Sequence, residues 1–504
     1  MDLLSNLALG FSVSLTPLNL LVAFIGTLLG TAVGVLPGLG PAATISLLLP
    51  ITLTLDHTSA IIMLAGIYYG AMYGGSITAI LVRIPGEAAS VVTCIDGYEM
   101  ARRGRAGVAL GISAFGSFIA GTFATLGVAA LGPWLSGAAL AFGPIEKGAL
   151  VTFGLVLVVN VGEGSRPRAY AMMAAGLLLS TVGTDLVSGT QRFTFGSLYL
   201  GDGLGIAVLA MGLFGVSEVL MLAEKRTPQM PIMPYGRGLR DLLPDRQDWK
   251  DSAAPMGRGT LLGFFLGLLP GGGALIASFV SYVVEKRMSR HPETFGKGAI
   301  AGVAGPESAN NAAAQASFVP LLCLGIPANA VIGIIMGAFV IHGLAPGPRL
   351  ITDHPSLFLG VVTSMFLGNL MLIVLNVPLV GVFVSLLRVP TAVMAPMVLM
   401  FCGVGAYSLN NSVNDVMVMA AFGLAGYALR KNGFDLAPLL LAFVLGSLFE
   451  TSIHQALAIG YGSPMIFLQK PISAIILALT ALVILWPLVR RVFGIALPDQ
   501  EAKA

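Results

Sequence analysis

The sequence predicts an all-α polytopic membrane protein made of two repeats of inverted topology, with broken or re-entrant helices and roughly 10–14 membrane segments. Three observations lead there. Of 504 residues, 56% are hydrophobic and only 10% charged, with a mean hydropathy of +0.89. A soluble domain carries about 25% charged residues, which cover its surface. Continuous apolar runs at 18–36, 107–132, 203–223, 355–387 and 472–496 reach the ~20 residues that span a bilayer, whereas a β-barrel would show alternating segments. The third observation is that the chain repeats itself.

The N-terminal stretch MDLLSNLALGFSVSL has no basic region ahead of its apolar residues, so the first membrane helix is expected to act as an uncleaved insertion signal. Residues 26–40 then read GTLLGTAVGVLPGLG, and residues 259–273 read GTLLGFFLGLLPGGG. At an offset of 233, Gly26, Thr27, Leu28, Leu29, Gly30, Gly34, Leu36, Pro37, Gly38 and Gly40 all recur. A second echo follows in the same order: Ile84-Pro85 in RIPGEAAS matches Ile326-Pro327 in GIPANAVI, at an offset of 242. Two ordered correspondences indicate a duplicated unit. Between the halves lies a stretch rich in Pro, Gly and mixed charge, as connecting segments are. The expected division is a transmembrane repeat over 1–223, a hydrophilic linker over 224–258 and a second transmembrane repeat over 259–504.

Lys and Arg mark cytoplasmic loops, and equivalent loops of the two halves carry opposite bias. The loop at Asp56-His57 has no Lys or Arg, while its counterpart carries Lys286, Arg287, Arg290 and Lys297. Arg102, Arg103 and Arg105 follow the first Ile-Pro motif, whereas only Arg349 follows the second. The bias favours inverted repeats. The linker is also basic, so either segment 258–284 re-enters and returns to the same side or one basic loop breaks the rule.

The repeated motifs are the candidate chemistry. Proline removes a backbone donor and glycine permits conformations that a helix excludes. LPGLGP (Pro37, Gly38, Gly40) and LPGGG (Gly271, Gly272, Gly273) therefore break their helices inside apolar sequence. Lipid cannot satisfy the freed N–H and C=O groups, so such breaks face protein or a wet cavity. Helix N-termini there attract anions, and paired interruptions in two halves point to a transporter's binding site. The bland alternative is a pair of tight turns. The Ile-Pro motifs repeat the logic and offer Gly86 with Glu87, and Asn329. Each, taken alone, could equally be a helix stop at the water interface.

The stretch GPESANNAAAQAS (305–317) lies between two apolar runs. Aligned by the Ile-Pro motifs, Asn311 falls opposite Tyr69 and Ser317 opposite Gly75, in a first-half segment of intramembrane character. Asn310, Asn311, Gln315 and Ser317 are then expected in the membrane, where polar groups are costly and functional, with Glu307 at the mouth. A polar loop is the alternative. YSLNNSVND (407–415) reads equally as a loop or a site, and Glu163 and Glu450 read as helix-end residues. Cys94, Cys323 and Cys402 show no metal-ligand spacing and read as buried apolar residues. The five histidines show no ligand motif, and no phosphate-binding GxxxxGK[ST] is present, so no cofactor is expected. A net charge of +3 gives no reason to expect nucleic acid.

These stretches resemble the large membrane subunit of the tripartite tricarboxylate transporters. The resemblance rests on GVLPGLGP (34–41), IPGEAASVVTCIDGYEMARRGRAG (84–107), GVAGPESANNAAAQASFVPLLCLGIPANAV (302–331), IHGLAPGP (341–348), and YSLNNSVNDV with GYALRKNGFDLAPL (407–439). It runs from about residue 20 to 470. Ala328 departs from it, standing where glycine often follows Ile-Pro. The resemblance implies a carrier in the bacterial inner membrane that imports carboxylates on a Na⁺ or H⁺ gradient. A periplasmic binding protein would deliver the solute, and a small membrane subunit of about four helices would assemble with the carrier. Amide oxygens near Asn310 and Asn311 would suit Na⁺. Rival classes are an intramembrane enzyme acting on a lipid-linked substrate, and a channel or scaffold. The scarcity of His, Asp and Glu inside the apolar runs argues against the enzyme.

Overall fold

A computed structural model describes residues 3–36, 38–161, 165–185, 188–224, 232–236, 238–271 and 273–493. Pro37, Gly272 and Glu163 lie outside the described residues. The chain opens with α1 (Leu3–Ser14), α2 (Pro17–Val35), α3 (Pro41–Thr52) and α4 (His57–Val82). A 3-10 turn (Ala88–Val91), α5 (Thr93–Met100) and a π turn (Ala101–Arg105) lead to α6 (Ala106–Ala139), α7 (Pro144–Val161) and α8 (Arg166–Ser180). A short antiparallel ribbon, β1 (Gly183–Thr184) with β2 (Gln191–Arg192), precedes α9 (Ile206–Ala210) and α10 (Ser217–Glu224). Next come α11 (Leu239–Leu242), α12 (Arg246–Gly267), α13 (Gly273–Met288), α14 (Ala301–Ala316), α15 (Ala330–Ile341) and α16 (Leu350–Asp353). The last helices are α17 (Pro355–Asn376), α18 (Val380–Leu386), α19 (Thr391–Asn410), α20 (Val413–Lys431), α21 (Ala437–Ile459), α22 (Ile466–Gln469) and α23 (Pro471–Phe493).

Seven helices among the described residues are long and apolar enough to cross a bilayer, and four shorter helices are apolar. The protein is an all-α polytopic membrane protein. Its α12 starts at Arg246, inside the stretch read as linker, because the Asp245 carboxylate accepts hydrogen bonds from the backbone N–H of Gln247 (2.7 Å) and Asp248 (2.8 Å). That satisfies two of the donors a helix start leaves free.

Small residues set the core. In lipid, helices associate through close van der Waals packing rather than a hydrophobic drive, and glycine at every fourth position lets backbones touch. Gly26, Gly30 and Gly34 of α2 press against the backbone of Met63, Ile67 and Ala71 of α4. Gly259, Gly263 and Gly267 of α12 press in the same way against Gly305, Ala309 and Ala313 of α14. The glycines of the two sets differ by 233 positions and their partners by 242, the two offsets found in the sequence. Both pairs run parallel, so the chain must turn back between their members. It does so at the Pro-Gly motifs, returning through α3 and α13. The Ser278 hydroxyl donates to Pro306 O (3.2 Å), and Gly302 lies beside Tyr282, so α13 runs antiparallel to α14. Segment 258–284 thus goes in and comes back.

Candidate functional site

Where α4 and α14 meet they run antiparallel. Tyr68 packs on Phe318 with ring centroids 6.2 Å apart, and Ser76 donates to Glu307 at 2.5 Å. Ala71 and Ala313, the residues that Gly34 and Gly267 touch just before the two helix breaks, fall between these two pairs. Both breaks therefore arrive at one depth. At each tip a glycine takes a positive φ, +90° at Gly38 and +80° at Gly271, a conformation open to glycine at little cost. Gly40 and Gly273 sit at the starts of α3 and α13, with open space where a side chain would project. Both returning helices thus begin beside open space, and a helix start leaves N–H groups without intrahelical partners.

The Ile-Pro breaks match just as closely. Arg83 and Gly325, again 242 apart, both adopt left-handed geometry, φ +60°, ψ 27° and φ +71°, ψ 28°. Four residues later the chain restarts a helix under a polar cap. Glu87 accepts from Ala89 N (2.8 Å), and the Asn329 side-chain oxygen accepts from Ile332 N (3.0 Å). Each cap also reaches the long helix of the other half. Asn310 Nδ2 donates to Glu87 Oε1 (3.3 Å), and Asn329 Nδ2 donates to the Tyr68 hydroxyl (3.0 Å). Tyr68 and Asn310 are themselves 242 positions apart. The two caps thus exchange contacts reciprocally. Ala328 keeps its place in this scheme: its carbonyl accepts from Gly271 N at 2.8 Å, tying the second Pro-Gly tip to the second Ile-Pro break. Its counterpart Gly86 must be glycine, since a Cβ there would lie 1.9 Å from Gly34 O.

The stretch 305–317 is a buried helix, not a polar loop. Asn310, Asn311, Gln315 and Ser317 are fully buried, and the helix starts at Ala301, four residues ahead of the stretch. Asn311 Nδ2 donates to Ser117 Oγ (2.7 Å). Gln315 Nε2 donates to Asn369 Oδ1 (3.0 Å) and its carbonyl accepts from Thr125 (2.7 Å). Ser317 donates to Ala314 O (2.6 Å), closing the helix end. Among the described residues, Asn310 Oδ1, Asn311 Oδ1 and Ser308 Oγ have no hydrogen-bond partner. Two buried amide oxygens are therefore left as acceptors for something other than protein.

Glu307 corrects the sequence reading. It is wholly buried rather than at a mouth, because hydroxyls of Ser76, Thr93 and Ser113 converge on its carboxylate from α4, α5 and α6. These partners, with Ser117, Thr125 and Asn369, were missed. Asn369 and Asn376, seven apart inside one apolar helix, were the legible signal: amides on one face of a membrane span. Glu450 lies mid-helix in α21, paired in two bonds with Arg192 (2.5 and 3.1 Å), so it is no end-cap. Residues 407–415 span the end of α19, a turn at Asn411 and Ser412 and the start of α20, where Asp415 accepts from Tyr199 (2.6 Å) and Asn410 (3.0 Å). The three cysteines are free and buried.

A cleft of about 1100 Å³ approaches the second Ile-Pro break at Gly325 and Ile326. Lys147, Arg192, Arg349, Asp185 and Glu450 stand on its walls. At the other end of the molecule, Asp96 accepts from the backbone N–H of Gly296, Gly298 and Ala299 (2.7–2.9 Å). This brings the basic loops around 101–105 and 286–297 to one face. The cleft lies at the opposite end of α6, beside Ala139 and Leu140.

Residues 20–441 match the family described as the tripartite tricarboxylate transporter TctA family. A protein of Agrobacterium vitis, described as an uncharacterized 52.8 kDa protein in the TAR-I ttuC' 3' region, is 49% identical over 479 residues, 95% of each chain. A second Agrobacterium vitis protein, described as lying in the TAR-II ttuC' 3' region, is 51% identical over 217 residues, 43% of this chain and 90% of its own. No solved structure matches the chain.

Proposed function

Since the chain belongs to the tripartite tricarboxylate transporter TctA family, we propose that it is the carrier subunit that imports a di- or tricarboxylate on a Na⁺ or H⁺ gradient. The reciprocal pairing of Glu87 with Asn310 and of Asn329 with Tyr68 supports this reading most strongly. With it, two matching helix breaks face each other across the antiparallel α4 and α14, the arrangement expected where one half rocks against the other about a fixed midplane site. The start of α3 at Gly40 and the start of α13 at Gly273 supply N–H groups for carboxylates. The unpartnered oxygens of Asn310 and Asn311 supply ligands for a hard cation. We read the halves as inverted repeats, 1–223 and 259–504.

The basic face is cytoplasmic by the positive-inside rule, which turns the 1100 Å³ cleft toward the periplasm of a bacterial inner membrane. A periplasmic binding protein would deliver the solute there, and a small membrane subunit of about four helices would complete the assembly. The test is uptake of labelled tri- and dicarboxylates into proteoliposomes that hold both membrane subunits, with the binding protein outside. Accumulation above equilibrium is expected only with an imposed Na⁺ or H⁺ gradient. Uptake that merely equilibrates would indicate a channel, and chemically altered solute would indicate an enzyme.

A further inference from the structure

We propose that one Na⁺ ion binds in a small void between α4, α6 and α17, held by oxygens of Tyr73, Ser76, Ser113 and Asn376 and balanced by Glu307. The void measures about 10 Å³, room for one water-sized sphere. Ser76 Oγ (2.5 Å) and Ser113 Oγ (3.0 Å) both donate to Glu307 Oε2, so their lone pairs remain for a ligand on the void side. Thr93 donates to the other carboxylate oxygen. Asn376, 4% exposed, spends its Nδ2 on Leu372 O (2.9 Å) and leaves Oδ1 with no partner among the described residues. That orphaned oxygen belongs to a side chain lining the same void.

Charge selects the ligand. An ionised carboxylate removed from water needs a compensating charge, and no ion pair to Glu307 exists among the described residues. The polar groups lining the void offer hard oxygens between apolar walls of Ile77, Leu110 and Ala114, and Glu307 behind the two serines carries one negative charge. Mg²⁺ keeps much of its water and demands an octahedron, and Ca²⁺ takes six to eight oxygens. Neither fits a void of one water. A bare monovalent ion does, and the tight space favours Na⁺ over the larger K⁺. A proton would neutralise Glu307 but leave the Asn376 oxygen unmatched.

The ion would also join moving parts. Glu307 belongs to α14, three and four residues before Asn310 and Asn311, whereas both serines belong to the first half. Filling the void therefore pins the amide pair against α4 and α6. This coupling role rests on the transport reading, but the binding does not.

Equilibrium binding of ²²Na⁺ to the full chain in nanodiscs, at fixed ionic strength with choline or K⁺ as competitor and no carboxylate, tests the site. A saturable Na⁺ site is expected in the void, undisplaced by K⁺ and separate from any cation held by Asn310 and Asn311. Glu307→Gln should abolish it. Asn376→Leu decides the matter, since the oxygen it removes serves no protein partner. Its thermal unfolding should stay cooperative while Na⁺ affinity falls roughly tenfold or more, and Ser113→Ala should fall similarly. Absent Na⁺-selective binding, or unchanged affinity in Asn376→Leu, would overturn the proposal. Intact Na⁺ binding with no carboxylate uptake would count against the transport reading instead.

Discussion

Asn310 and Asn311 are neighbours in sequence yet serve different surfaces, because successive helical residues project about 100° apart. One reaches Glu87 of the Ile-Pro break and the other reaches Ser117 of α6. Leucine at either position would strand a buried partner, at about 1–3 kcal/mol, and remove an unpartnered oxygen. We expect Asn310→Leu to lower uptake by roughly an order of magnitude or more, about 1.4 kcal/mol of barrier, with normal membrane insertion. Comparing transport with surface-expressed protein checks this, and near-normal transport would remove Asn310 from the site. The amide run was legible because four polar residues stand together in apolar sequence. Ser76, Thr93 and Ser113 were not, since each sits on a different helix and meets Glu307 only through the fold.

At the scale of the element, the glycine stripes turn a broken helix into a fixed re-entrant hairpin. A Cβ on Gly263 would lie 2.2 Å from Ala309 O, a clash with backbone that cannot swing aside. Gly263→Leu should therefore push α12 off α14 and lower thermal stability, with overpacking of this kind costing about 1–3 kcal/mol or more. Gly273→Ala makes no contact but must hold φ +48°, so it should cost much less. Unfolding temperatures of the two variants in one detergent check the order, and equal losses would contradict close packing as the cause. The sequence shows these stripes plainly as GxxxGxxxG. It does not show the helical start at Arg246, because the Pro, Gly and charges of 224–258 hide an N-cap among loop-forming residues.

The whole molecule is tied together at its two ends by different means. On the basic face the Asp96 carboxylate clamps the 296–299 backbone. On the other face His57 Nδ1 and His342 Nδ1 lie 3.2 Å apart, and His342 Nε2 lies 3.3 Å from Thr52. Burial, then the neighbouring His57, hold the His342 ring below its usual 6.5, with Asp56 acting the other way. A folded-state value below the unfolded one means the unfolded chain binds more protons in that window. The contact should thus stabilise fully above pH 6.5 and be lost as pH falls through the lower folded value. His342→Ala should flatten this part of the unfolding profile, and an unchanged profile would remove the pair from consideration. The matched offsets of 233 and 242 were legible from sequence, but the exchange of caps between the two stretches was not. It depends on how two antiparallel helices meet, which no local pattern encodes.

That exchange is the centre of the account, and site-directed labelling tests it most directly. Asn310→Cys and Asn329→Cys, each in a chain whose Cys94, Cys323 and Cys402 are replaced by serine, would be assembled with both partner subunits. They would then be treated with a membrane-impermeant thiol reagent, with and without a tricarboxylate. A translocation site between the two breaks requires slow labelling at both positions, slowed further by the carboxylate. Fast labelling indifferent to carboxylate at both positions would contradict it.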